Sequence, residues 1–153
     1  MGRIRLLWTS CRGQTLIEFA LIAPVLIILL FGIIDFGLML NQRITLEHAV
    51  REGSRYGMVT ADCAAIRLRT VDRAGDIIDL ADVTVSYQSP DGSAVTSAMP
   101  GDNVKVRAAF DWRFPLMSGF RWFHDDVGEI HGHVSGDGRL ELAVPDASGC
   151  SGP

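Results

Sequence analysis

The chain has 153 residues, enough for one domain or for a membrane segment carrying a small domain. It is 48% hydrophobic with a mean hydropathy of +0.22, high for a soluble protein, and the excess lies before residue 40. A net charge of −4 and a pI near 5.5 leave no basic field for a nucleic-acid partner.

Residues 1–13 form a short basic leader, with Arg3, Arg5 and Arg12 and no acid. From Phe19 to Ile34 there is no charge. Carried on to Leu40, the apolar run spans about 22 residues, roughly 33 Å as a helix and enough to cross a bilayer. Residues 14–40 therefore read as a transmembrane helix, and the arginines keep the N-terminus cytoplasmic and the C-terminal domain outside. A cleaved secretory signal fits less well. The run is too long, and Leu38-Met39-Leu40-Asn41-Gln42 offers no small-x-small cleavage site. A lipoprotein signal ending at Cys11 is excluded because Ile4, Leu6, Leu7 and Trp8 are too few and are broken by Arg5.

Two carboxylates interrupt this picture. Glu18, at the start of the helix, costs on the order of 2–3 kcal/mol unless it is paired or lies at the interface. One reading places it at the headgroup boundary beside Arg12; the other comes from its spacing to Gly13. Asp35, about 17 residues and roughly 25 Å further along, lies near the outer interface. It reads either as a wetted boundary acid or as a polar contact with another subunit. Pro24 is tolerable in such a helix where neighbours satisfy the freed carbonyl. Gly32 and Gly37 offer small faces but not a four-spaced pair.

The segment Gly13-Gln14-Thr15-Leu16-Ile17-Glu18-Phe19 resembles the processing site of type IV prepilins. That resemblance implies cleavage after Gly13 by a prepilin peptidase, leaving Gln14 as the new N-terminus. Phe19 supports the motif, and Glu18 would neutralise the free amine of a neighbouring subunit. Phe31-Gly32-Ile33-Ile34-Asp35-Phe36-Gly37, followed by AVREGSRYG over 49–57, resembles the TadE-like family. These are minor pilin-like proteins, or pseudopilins, of tight-adherence (Flp-type) pilus systems. The likeness covers about residues 12–58, with Ser54 where alanine is usual. It implies a pilin-like subunit in the bacterial inner membrane, with its outer domain periplasmic. Its partners would be membrane lipid, the prepilin peptidase and other pilin-like and Tad assembly subunits, with no cofactor and no catalytic residue. The alternative is an uncleaved, single-pass anchored adaptor or ligand-binding module.

Residues 41–76 read as a helical stalk and a short second helix. Leu46, Ala49, Val50, Gly53, Tyr56 and Gly57 share one face, and Arg43, Glu47, Arg51, Ser54 and Arg55 share the other. After a break at Thr60-Ala61-Asp62, Asp62 caps a helix with Ala64, Leu68, Val71 and Gly75 as its inner stripe; Gly75 ends it.

Residues 77–145 read as an antiparallel β domain. Val83, Val85 and Tyr87 alternate with polar residues before the turn Ser89-Pro90-Asp91-Gly92. Val104, Val106, Ala108, Phe110, Trp112 and Phe114 form one face of a longer strand. Val127–Val134 and Arg139–Val144 suggest one or two more strands around a turn at Ser135-Gly136-Asp137-Gly138. The fold class is α+β, with residues 146–153 as a tail.

Of three cysteines, Cys11 precedes the membrane run, while Cys63 and Cys150 follow it into an oxidising compartment. A Cys63–Cys150 disulfide is the economical reading; the alternative is two unpaired thiols. His124, Asp125, Asp126, Glu129, His131 and His133 have metal-ligand composition. Ile130 and Val134 claim the other face of that strand for the core, so the histidines read as solvated and no metal is expected. No nucleophile elbow, Walker loop or dinucleotide fingerprint is present, so the chain does not read as an enzyme. Phe114-Pro115-Leu116-Met117, with Phe120, Trp122 and Phe123, reads either as a loop completing the core or as a subunit-binding patch.

Overall fold

A computed structural model describes residues 14–116, 129–146 and 150. One helix, α1 (Gln14–Gly57), runs for 44 residues without a break, including at Pro24. At 1.5 Å per residue it is about 66 Å long, more than twice the thickness of a bilayer core. Its lower half is bare. Leu16, Phe19, Leu21, Ile22, Val25 and Leu26 are each more than 60% exposed, so nothing in the described chain shields this apolar surface.

The upper half of α1 carries the outer domain. Leu46, Ala49, Val50, Gly53, Ser54 and Gly57 are buried there. Two positions differ from the sequence reading. Tyr56, expected on the inner face, is 39% exposed, and Ser54, expected among the charges, is buried. The inner face turns toward Ser54 because a strand lies on that flank. The Ser54 hydroxyl donates to the Arg51 carbonyl at 2.9 Å and so enters the core without an unmet hydrogen bond.

Helix α2 (Cys63–Ala74) is capped by Asp62, whose carboxylate accepts the N–H groups of Ala64 and Ala65 at 2.9 and 3.2 Å. Gly75, at φ +66°, takes a positive-φ conformation that suits glycine, and the helix ends there. Its buried row is Ile66, Thr70 and Ala74, not Ala64, Leu68 and Val71; Leu68 is 61% exposed and Val71 half-buried. Thr70 can face inward because its hydroxyl bonds the Ile66 carbonyl one turn back at 2.8 Å. Gly53 of α1 makes room for it, since a Cβ there would collide with the Thr70 hydroxyl.

Four antiparallel strands follow, β1 (Val83–Gln88), β2 (Ala94–Val95), β3 (Asn103–Arg113) and β4 (Glu129–Arg139), in the order β2-β1-β3-β4. Alternation places Val83, Val85 and Tyr87 of β1 and Val104, Val106, Ala108 and Trp112 of β3 in the core. The first turn forms as expected: the Gly92 N–H reaches the Ser89 carbonyl at 2.8 Å, with Gly92 at φ +88°.

Ser135-Gly136-Asp137-Gly138 is not a turn. It runs inside β4, paired with Arg107, Val106, Lys105 and Val104 of β3. The glycines serve close approach instead. A Cβ on Gly136 would lie 2.7 Å from the Val50 carbonyl oxygen, and one on Gly138 would lie 3.0 Å from that of Ser54. The helix thus rests directly on the strand backbone. Arg139–Val144 is not a separate strand either: Arg139 ends β4, and the residues after it are held by backbone hydrogen bonds of Leu140 with Gly101 and Asp102, of Glu141 with Met58, and by an isolated bridge of Val144 with Ala98. The architecture is α+β: a long helix whose upper half packs, with α2, on one small antiparallel sheet.

Candidate functional site

The stalk presents its two carboxylates differently. Glu18 is exposed in the first turns of α1, beside an equally exposed Phe19, and it makes no ion pair among the described residues. Gln14 begins the helix. Gly13, the remaining member of the expected processing site, lies outside the described residues, as does Arg12.

Asp35 is fully buried. Its two carboxylate oxygens accept the Leu116 N–H at 3.3 and 3.2 Å, across 81 residues of sequence. It is therefore not a wetted boundary acid. It ties the chain just past β3 back to α1. Next to that point Trp112 and Phe114 meet edge to face with ring centroids 6.3 Å apart. Of the aromatic segment, Met117, Phe120, Trp122 and Phe123 lie outside the described residues. Sequence reasoning missed the contact because neither an isolated aspartate nor a backbone N–H carries a signal of its partner.

A second set of contacts closes the outer domain. Cys63, the first residue of α2, is joined to Cys150, with Cα atoms 5.3 Å apart. Arg67 donates to the Cys150 carbonyl at 2.7 Å. The Tyr87 hydroxyl lies 3.8 Å from the Cys63 sulfur; burial pushes its pKa up, and the Asp62 charge adds to the effect. On the outer flank Glu52 of α1 is held by Arg55 and by Arg69 of α2, at 3.2 and 3.3 Å. Hydrogen bonds from those two guanidinium groups keep its carboxyl below the usual range.

The His-x-His pair of β4 points outward. His131 shares a 2.5 Å hydrogen bond with Asp111, its partner across the β3–β4 ladder, and that bond raises the imidazole pKa. Arg113 and Glu129 pair at 3.1 Å nearby, so Glu129 is engaged with an arginine. No group of three ligating side chains occurs among the described residues. His124, Asp125 and Asp126 lie outside them.

What these elements define as a class is a single-pass membrane protein: one bare apolar helix long enough to span, carrying an α+β domain at one end. Residues 13–55 match the family described as TadE-like protein, the same family that the glycine, glutamate and Arg-Glu-Gly motifs resemble. The matched stretch is α1 almost to its end, and residues 56–153 fall outside it. No curated protein and no solved structure matches the chain.

Proposed function

We propose that the chain is a pilin-like membrane subunit used in assembling a tight-adherence pilus. It enters the bacterial inner membrane with its N-terminus in the cytoplasm and its sheet domain in the periplasm. A prepilin peptidase cuts it after Gly13, which frees Gln14 as the new terminus. Its role is structural, to supply a helix that other pilin-like and Tad assembly subunits pack against. The observation that carries this reading is the bare lower half of α1 with Glu18 exposed at its start, in the stretch that matches the TadE-like family. A carboxylate at the edge of a lipid-facing helix, with no ion pair among the described residues, is costly. A free amine on a neighbouring processed subunit would neutralise it.

The test is co-expression with a prepilin peptidase followed by intact-mass measurement. Wild type should begin at Gln14, and Gly13→Ala should keep the leader. Equal masses for the two would sink the processing claim. Glu18→Leu should insert and be cut normally but fail to assemble; normal assembly would favour an uncleaved anchored adaptor.

A further inference from the structure

We infer that the outer face of the sheet docks a second copy of this chain, its cations taking the acidic stretch that follows α2. This rests on the reading of α1 as a spanning helix, and it adds to the packing of α1 a contact made by the outer domain.

Strand alternation puts Lys105, Arg107 and Arg113 on the face of the sheet away from α1, since Val104, Val106 and Trp112 between them point into the core. Arg139 joins them through its ladder partner Asn103. Every lysine and arginine of the four strands therefore lies on this one face. Nearer the membrane its charges are matched, Asp111 with His131 and Glu129 with Arg113. Higher up, Lys105, Arg107 and Arg139 make no ion pair among the described residues, and they share the face with one acid, Asp137. Thr84, Ser86 and Ser135 stand beside them as small polar neighbours.

The complementary charge sits where α2 ends. From Ala74 to Val104 the chain has no lysine or arginine, and Asp76, Asp79 and Asp82 follow closely on Asp72. Asp72, Asp76 and Asp79 are exposed and make no ion pair among the described residues. Asp79 and Asp82 bond backbone N–H groups of their own turn and keep their charge. Arg73 is the one cation among them.

The membrane brings the two patches to similar heights. Gly53 and Gly57 of α1 abut Val106 and Val104, which sets Lys105 and Arg107 level with that part of the helix. Arg73 borders a hollow with Thr45, His48 and Ala49, so the acidic stretch begins a little below. The offset is one to two helical turns, roughly 5–11 Å, which the long lysine and arginine side chains can bridge. Two copies standing upright in one bilayer therefore meet cation to acid when one turns about the membrane normal. Opposed patches of this kind select the partner and fix its register. Each copy offers its sheet face to one neighbour and its acidic stretch to another, so the contact is head-to-tail and repeats.

Lys105 is the only lysine of the chain, which makes the contact chemically addressable. The full chain, as an equal mixture of unlabelled and heavy-nitrogen-labelled protein, is placed in phosphatidylcholine–phosphatidylglycerol vesicles, whose lipids carry no amine. A carbodiimide then joins amines to carboxylates in direct contact, and the linked peptides are identified by mass. Lys105 should be linked to Asp76 or Asp79 in peptides that pair a light with a heavy chain. Raising the salt from about 0.1 M to about 1 M, which shortens the Debye length from ~10 Å to ~3 Å, should lower that yield several-fold. Arg107→Glu, which leaves the amine in place, should lower it as much, and adding Asp76→Arg should restore it through Asp79. Mixed links from Lys105 to other acids, links confined to one copy, or no link at Lys105 would each overturn the inference while leaving α1 in the membrane. Release of the protein from the vesicles by alkaline carbonate would instead remove the spanning helix, and this contact with it.

Discussion

At the scale of single residues, Asp35 bears most directly on how the anchor meets the domain. A fully buried carboxylate in a helix is costly unless its oxygens are met, and here both face the Leu116 N–H. Asp35→Ala would leave that N–H without this acceptor, a loss of about 1–3 kcal/mol for a buried donor left unsatisfied. Asp35→Asn keeps an oxygen in place and should lose less. Amide hydrogen exchange at Leu116, in the full chain in micelles, reads the difference: fast in the alanine variant, intermediate in the asparagine variant, slow in wild type. Equal exchange in all three would mean that the contact holds nothing.

At the scale of elements, local signals were legible wherever a residue type has one use. Asp62 as the cap, Gly75 as the stop and the alternation of β3 could be read directly, because each reports only on its own backbone. Glycine has two uses, and that is where the reading failed. In Ser135-Gly136-Asp137-Gly138 it indicates a turn if the segment is free and a flat strand if a helix lies on it. Only the position of Val50 and Ser54 decides between them. Thr70 hid the inner row of α2 for a similar reason: a hydroxyl counts as polar until its own helix satisfies it. The β3–β4 ladder also sets a titration. His131 is held by Asp111, whose hydrogen bond and charge raise its pKa from the ordinary 6.5, with Glu129 adding to the field. A group whose pKa is higher in the folded state stabilises the fold when protonated. That contribution is complete below the ordinary imidazole value and fades as pH rises through the raised one, so the window opens near 6.5 and extends upward. In an NMR titration of the His131 ring, wild type should titrate above Asp111→Asn. Coincident midpoints would show that the pair is not formed in solution.

At the scale of the whole molecule, α1 makes anchor and domain one continuous piece, with lipid-facing and core-facing surfaces on the same 44-residue helix. The fold then has to hold a sheet against the upper half of that helix using a small core. The chain returns to α2 at its far end, where Cys150 meets Cys63 across a separation of 87 residues. Closing a loop of that length removes freedom from the unfolded chain worth about 4 kcal/mol in the chain-entropy view, a large share of a small domain's stability. The loop encloses α2 and the whole sheet but not α1, so its loss should loosen the outer domain and leave the membrane helix alone. Cys150→Ser should therefore lower the urea midpoint of the tryptophan transition while the helical signal of the anchor persists. Reductant supplies the control: it should bring wild type down to the variant's midpoint and leave the variant unmoved. If wild type keeps its midpoint under reductant that opens the bond, the sheet is held by its core alone, and the covalent tie adds nothing to the folded state.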